Sequence, residues 1–165
     1  MLDALFSTAF GKAVTLLTIS AMPIVELRAA IPIGAAQGLP FWETYLMCIL
    51  GNMLPIPFAI LFTQKVFAYM KQTKLFRRPA FWLENHVMKK APTLYKYHVL
   101  GLVLLVAIPL PGTGAWTGAI LSALLGMRMK RSLPAILLGV IIAATVVAGM
   151  SYGFIQAISL FAPGL

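Results

Sequence analysis

Apolar residues run in long blocks along this chain, and the polar ones are gathered in the gaps. Four apolar stretches stand out, at about 4–25, 41–63, 99–126 and 133–162. Each is long enough for the roughly 20 residues that a membrane-spanning helix needs. Four sequential crossings would put the segments 64–98 and 127–132 on opposite sides of the bilayer. The first carries Lys65, Lys71, Lys74, Arg77, Arg78, Lys89, Lys90 and Lys96 against one acid, Glu84, and the second carries Arg128, Lys130 and Arg131. Short basic loops stay in the cytoplasm, so both belong on one side. Segment 99–126 must then enter and leave by the same face. Its middle, Pro109-Leu110-Pro111-Gly112-Thr113-Gly114, is built to reverse a helix, because proline removes a backbone donor and glycine permits positive φ. The arms 99–108 and 115–126 would each reach about 15–18 Å, roughly half the hydrocarbon core. The pattern predicts a re-entrant helical hairpin.

The N-terminal part has the same outline. An apolar arm of about 7–22 meets Pro23, continues through Glu26-Leu27-Arg28-Ala29-Ala30-Ile31-Pro32-Ile33-Gly34, and ends at Gly38-Leu39-Pro40. Breaks are expected at Pro23, Pro32 and Gly34 here, and at Pro109, Pro111 and Gly112 in the second hairpin. A full span follows each hairpin, at 41–63 and 133–162. Asp3, Lys12 and Glu43 flank the first hairpin and basic loops flank the second, so the two should enter from opposite faces. The expected fold is all-α and integral to the membrane: an inverted repeat of two units, each a re-entrant hairpin plus a transmembrane helix. Repeat one covers 1–63, a basic cytoplasmic linker 64–98, and repeat two 99–165, with both termini outside. Gly34-Ala35-Ala36-Gln37-Gly38 faintly echoes Gly114-Ala115-Trp116-Thr117-Gly118. Within the linker, Phe81, Leu83, Val87, Met88 and Ala91 share one helical arc between Pro79 and Pro92, which suits an interfacial helix with Trp82 at the headgroups. An ordinary basic loop is the alternative.

Composition sharpens this picture. Of 165 residues, 61% are hydrophobic and only 10% charged, with a mean hydropathy of +0.92. Soluble domains are about half apolar and roughly a quarter charged, so a soluble enzyme or a disordered regulator is excluded. The net charge of +9 does not imply nucleic acid, because all the basic residues except Lys12 and Arg28 lie in the two loops. The single cysteine, Cys48, sits in an apolar run and excludes an intrachain disulfide. The opening Met1-Leu2-Asp3 lacks the basic start of a cleavable signal peptide, so insertion through the chain's own spans is expected.

Only Glu26 and Arg28 are charged at membrane depth, where ionisable side chains by default mark function. Two residues apart on a helix they point away from each other, and they pair directly only if the backbone is unwound. Glu26 is the expected proton-coupling residue and Arg28 the holder of an anionic group; a structural ion pair is the alternative. Half-helix N-termini at about Ala29–Gly34 and Thr113–Trp116 favour an anion, and both are expected beside Arg28. Thr113, Gly114 and Thr117 would add donors, unless the hydroxyls bond their own helix. Asn52, ahead of Pro55-Ile56-Pro57, either lines the cavity or satisfies that kink. The G-x-x-x-G pairs at 34–38 and 114–118 fit close helix contact better than ligand contact, and Trp116 fits packing. His86 and His98 do not make a metal site, and no metal or other cofactor is expected. No H-E-x-x-H, G-x-S-x-G or phosphate-cradling loop occurs, so an enzyme is not expected.

Met22-Pro23-Ile24-Val25-Glu26-Leu27-Arg28-Ala29-Ala30-Ile31-Pro32-Ile33-Gly34, with Gly38-Leu39-Pro40, Gly51-Asn52-x-x-Pro55 and the run Ile108–Gly118, resembles the putative small multi-drug export protein family. The chain is also distantly similar to the DedA-like (VTT) membrane superfamily, which has opposed re-entrant hairpins and includes lipid scramblases and polyprenyl-phosphate transporters. Those proteins carry arginines flanking the second Pro-Gly; here Ala107 and Ala115 lie nearby, and no arginine falls between 99 and 127. The expected function is a proton-coupled secondary transporter or flippase for an amphiphile with an anionic headgroup, such as a polyprenyl phosphate or phospholipid. Proton-coupled export of cationic drugs and a non-transporting membrane scaffold are the alternatives. Membrane lipids, a small amphiphilic substrate and a second copy of the chain are the expected partners, with no nucleic acid, in a bacterial or archaeal plasma membrane. A homodimer or larger assembly is expected because two spans alone would leave the polar hairpin breaks facing lipid.

Overall fold

A computed structural model describes residues 9–72, 98–110 and 113–161. The described residues are all-helical: α1 (Ala9–Ala21), α2 (Glu26–Ala36), α3 (Phe41–Met53), α4 (Ile56–Gln72), α5 (His98–Ala107), α6 (Ala115–Leu124) and α7 (Met129–Phe161). Two helical runs are long and apolar enough to cross a membrane, Phe41–Met70 with 30 residues and Met129–Gln156 with 28. At 1.5 Å per residue they measure about 45 and 42 Å, more than the hydrocarbon core requires. With this length and composition the chain is a membrane protein. The first run extends past the expected 41–63 and is interrupted at Leu54-Pro55, where proline cannot donate to the Gly51 carbonyl. The expected interfacial helix 80–91 lies outside the described residues.

The breaks differ from expectation. The N-terminal reversal is confined to 22–25, and α2 begins at Glu26. Pro32 and Gly34 do not interrupt the chain; both lie inside α2. Proline there forfeits only the bond to the Arg28 carbonyl, and Gly34 serves contact: a Cβ on it would lie 2.5 Å from the Thr44 methyl. The expected half-helix N-terminus at Ala29–Gly34 is therefore at Glu26 instead.

The chain divides into two compact units, 1–55 with 140–165, and 56–139. In the first, α1 packs on α2 and α3, and α2 on α3. α1 and α3 approach so closely that a Cβ on Gly51 would lie 2.6 Å from the Leu17 carbonyl oxygen. The Ser20 hydroxyl donates to the Cys48 carbonyl and ties the same two helices. The second half of α7 joins through Tyr152, which donates to the Leu39 carbonyl at 2.8 Å and exchanges a hydrogen bond with Thr44 Oγ1 at 2.9 Å. Tyr152 also packs edge-on against Phe41. In the second unit α6 packs on α4 and α5. A Cβ on Gly139 of α7 would lie 2.9 Å from the Val103 carbonyl oxygen of α5.

The same cap closes α2 and α6. Gln37, Gly38 and Leu39 N–H donate to Ile33, Ala35 and Gly34; Leu125, Gly126 and Met127 N–H donate to Leu121, Ala123 and Ser122. Gly38 and Gly126 adopt φ of +70° and +63°, the left-handed residue that lets a helix end absorb its orphan carbonyls. Every pair is related by a step of 88 residues, as are Gly51 and Gly139. Their contacts, Leu17 and Val103, are 86 apart, because the connection from α1 to α2 is shorter than that from α5 to α6. The G-A-x-x-G echo steps by 80 and pairs Gly34, inside α2, with Gly114, which precedes α6.

Candidate functional site

Buried Ser20 and Glu26 flank the α1–α2 reversal, whereas buried Thr44 packs against Gly34. Glu26 is 5% exposed and holds φ of +50° as the first residue of α2. A non-glycine residue in that region is strained and needs its surroundings to hold it there. Its N–H donates to the Met22 carbonyl at 3.1 Å, which closes the reversal behind Pro23. Arg28, half-buried in the first turn of α2, feels the charge of Glu26.

Gly34 against Thr44 fixes the level at which α2 meets α3. The two helices are joined by the short turn 37–40, so they run antiparallel. Eight residues back along α2 is Glu26, and eight onward along α3 is Asn52. The two are therefore at one level, about 12 Å from Gly34. Ser20 reaches that level from α1 through its bond to Cys48, one turn before Asn52. Glu26, Asn52 and Ser20 are all buried. Neither amide atom of Asn52 has a hydrogen-bond partner among the described residues, so Asn52 does not satisfy the Pro55 kink.

Another feature of this unit is a groove of about 410 Å³, lined by Pro32 and Ala36 of α2 and by Met150, Ser151, Phe154 and Ile155 of α7. Sequence reasoning missed it, because its far wall comes from the distant end of the chain. Arg28, Pro32 and Ala36 follow each other at intervals of four, on one stripe of α2. Two residues of the groove lining thus share a stripe of α2 with Arg28.

Thr113, Gly114 and Thr117 lie together at the start of α6 in the second unit. The Thr113 hydroxyl is 2.9 Å from the carbonyl oxygens of both Ile108 and Leu110, so it closes its own loop. Gly114, at φ of 151°, precedes α6 and accepts from Gly118 N–H at 2.8 Å. Thr117 is half-buried. A Cβ on Gly118 would lie 2.7 Å from Val106, so the 114–118 pair serves helix contact at its second glycine. Gln64, which the sequence reading passed over, donates to the Met127 carbonyl at 3.4 Å. No cluster of three or more His, Cys, Asp or Glu side chains occurs among the described residues. Pro111, Gly112, His86 and the His98 side chain lie outside what is described.

Residues 26–146 match the sequence profile of a family described as "Putative small multi-drug export protein". The chain belongs to that family. The match starts at Glu26 and takes in Arg28, Asn52 and the start of α6, while α1 precedes it. Membership points coarsely to transport across a membrane rather than to enzymatic catalysis. No curated protein and no solved structure matches the chain significantly.

Proposed function

We propose that this small multi-drug export family member is a secondary transporter or flippase for an amphiphile with an anionic headgroup, such as a polyprenyl phosphate or phospholipid. The observation that carries this reading is the stripe Arg28–Pro32–Ala36, with a fixed cation at one end and an apolar groove at the other. A headgroup at Arg28 and a hydrocarbon chain along Met150, Phe154 and Ile155 would satisfy both. Glu26 is the proton-coupling residue. Its burial makes the ionised form costly, so arrival or loss of an anionic neighbour changes its proton affinity. Asn52 adds a polar contact at the same level, and Thr113, Gly114 and Thr117 offer a second anion-favouring helix start in the other unit.

The recurrence of one cap and one glycine contact at steps of 88 and 86 supports a duplicated hairpin-plus-span unit. Each compact unit joins one hairpin to the near half of the following long helix and the far half of the other one, which also fits a duplication. We read the first hairpin as re-entering from the outer face and the second from the cytoplasmic face, with linker 64–98 cytoplasmic, both termini outside, and a homodimer shielding the hairpin breaks from lipid.

Native mass spectrometry of the purified protein with a polyprenyl phosphate, comparing wild type and Arg28→Ala and using a cationic dye as competitor, tests the reading. Binding lost in Arg28→Ala, with the fold intact, is the expected result. The family description favours a second reading, export of cationic drugs; dye binding that depends on Glu26, with no lipid bound, would select it. Silence for both ligands would leave a non-transporting scaffold. The same spectra give the oligomeric state, and a monomer would contradict the dimer.

A further inference from the structure

Four bases of the second unit gather beside one hydrogen bond. Gln64 of α4 donates to the Met127 carbonyl at 3.4 Å, which joins α4 to the turn between α6 and α7. The residue after each partner is a base, Lys65 on α4 and Arg128 just before α7, and Lys130 and Arg131 belong to the first turn of α7. All four are exposed. The turn that presents them is fixed: Arg131 and Ser132 N–H donate to the Arg128 carbonyl at 2.8 and 3.1 Å, and the Ser132 hydroxyl donates to it at 3.3 Å. Glu84 is the single acid between 56 and 139 and lies outside the described residues. One carboxylate neutralises at most one of the four bases.

Exposed apolar stripes lead up to these bases. On α4, Phe58, Leu61 and Phe62 are exposed and reach Lys65 by steps of three and four residues, so they share its face. On α7, Leu137 and Leu138 are exposed and lie seven residues on from Lys130 and Arg131, two turns or about 10 Å along the same faces. Outward apolar side chains of a membrane protein contact acyl chains, and bases at the end of such a face sit where headgroups lie. The arrangement therefore matches an anionic amphiphile, charge beside the Gln64–Met127 bond and chain along α4. Orientation in the bilayer asks only for bases on one side; it does not ask that two helices be tied together beside them. Nor does the repeated cap supply the charge. At the step of 88 that relates the two caps, Pro40, Trp42 and Glu43 stand where the second unit has Arg128, Lys130 and Arg131.

We propose that Lys65 and Arg128, with the first turn of α7, hold an anionic phospholipid of the surrounding bilayer, its headgroup at the bases and its acyl chain along Phe58, Leu61 and Phe62. The site belongs to the second unit and stands whether or not Arg28 of the first unit binds a substrate. The test is native mass spectrometry of the full chain with phosphatidylglycerol and phosphatidylcholine of identical chains at equal concentration. Wild type and Arg28→Ala should both retain phosphatidylglycerol in preference to phosphatidylcholine. In the Arg28→Ala background, Lys65→Gln or Arg128→Gln should weaken that retention about fivefold, and the two together about 25-fold, with phosphatidylcholine unaffected. The pair leaves nine of the eleven bases in 64–98 and 127–132, so the orientation signal survives. Raised ammonium acetate should weaken phosphatidylglycerol retention, because exposed charges are screened. Glycerol phosphate carries the charge without the chains and should not displace the lipid; if it does, the site takes free phosphate and the lipid assignment falls. Equal retention of the two lipids in Arg28→Ala, or undiminished phosphatidylglycerol when both bases are replaced, would overturn the proposal.

Discussion

Replacing Gly51 by alanine tests the packing that holds the α1–α2 reversal in place. A Cβ there would lie 2.6 Å from the Leu17 carbonyl oxygen and 2.9 Å from its Cα, atoms that no rotamer change can move aside. Backbone must therefore shift, at an overpacking cost of about 1–3 kcal/mol. Alanine regains about 1 kcal/mol of helix propensity over glycine, so the net loss should be up to about 2 kcal/mol. Gly149→Ala is the matched control, since its Cβ would meet nothing within 4 Å and only the favourable term of up to about 1 kcal/mol applies. Reversible unfolding in detergent should rank Gly149→Ala above wild type and wild type above Gly51→Ala. Gly139→Ala should follow Gly51→Ala, because it meets the Val103 carbonyl oxygen in the same way. Gly51→Ala as stable as Gly149→Ala would refute the close approach of α1 and α3.

Other outcomes follow from particular contacts. Gly38→Ala and Gly126→Ala should each lose about 1 kcal/mol from the left-handed backbone alone, with asparagine recovering part of it, as read by Tm. Asn52→Leu should be neutral or stabilising without added ligand, because it removes two unpartnered polar atoms from a buried position; a loss above about 2 kcal/mol would mean that the amide is paired. Tyr152→Phe should cost about 1–2 kcal/mol by removing the hydrogen bonds to Leu39 and Thr44, and denaturant unfolding measures it.

The long apolar runs were legible because hydropathy and length need no tertiary context. The reversals after α1 and α5 were legible from Pro23 and Pro109, which stop helices locally. Pro32 and Gly34 misled because the same residue types also serve inside helices: Gly34 is small to admit Thr44, and one proline costs a single helix bond. Register was harder to read. The echo at a step of 80 pairs like letters in unlike places, whereas the structural step of 88 pairs Gly34 with Ser122 and Thr44 with Ser132, which share little beyond small size or a hydroxyl. Glu26 and Arg28 stood out as lone charges in an apolar context. The groove did not, because Met150, Phe154 and Ile155 lie more than a hundred residues from the helix they face and read as ordinary span residues.

The most direct test of the account is translocation of a fluorescent anionic-headgroup lipid in proteoliposomes under an imposed pH gradient, with internal pH recorded in parallel. The account predicts lipid movement coupled to proton flux, abolished in Glu26→Gln and in Arg28→Ala while both variants remain folded. Lipid movement and proton flux unchanged in either variant would contradict it.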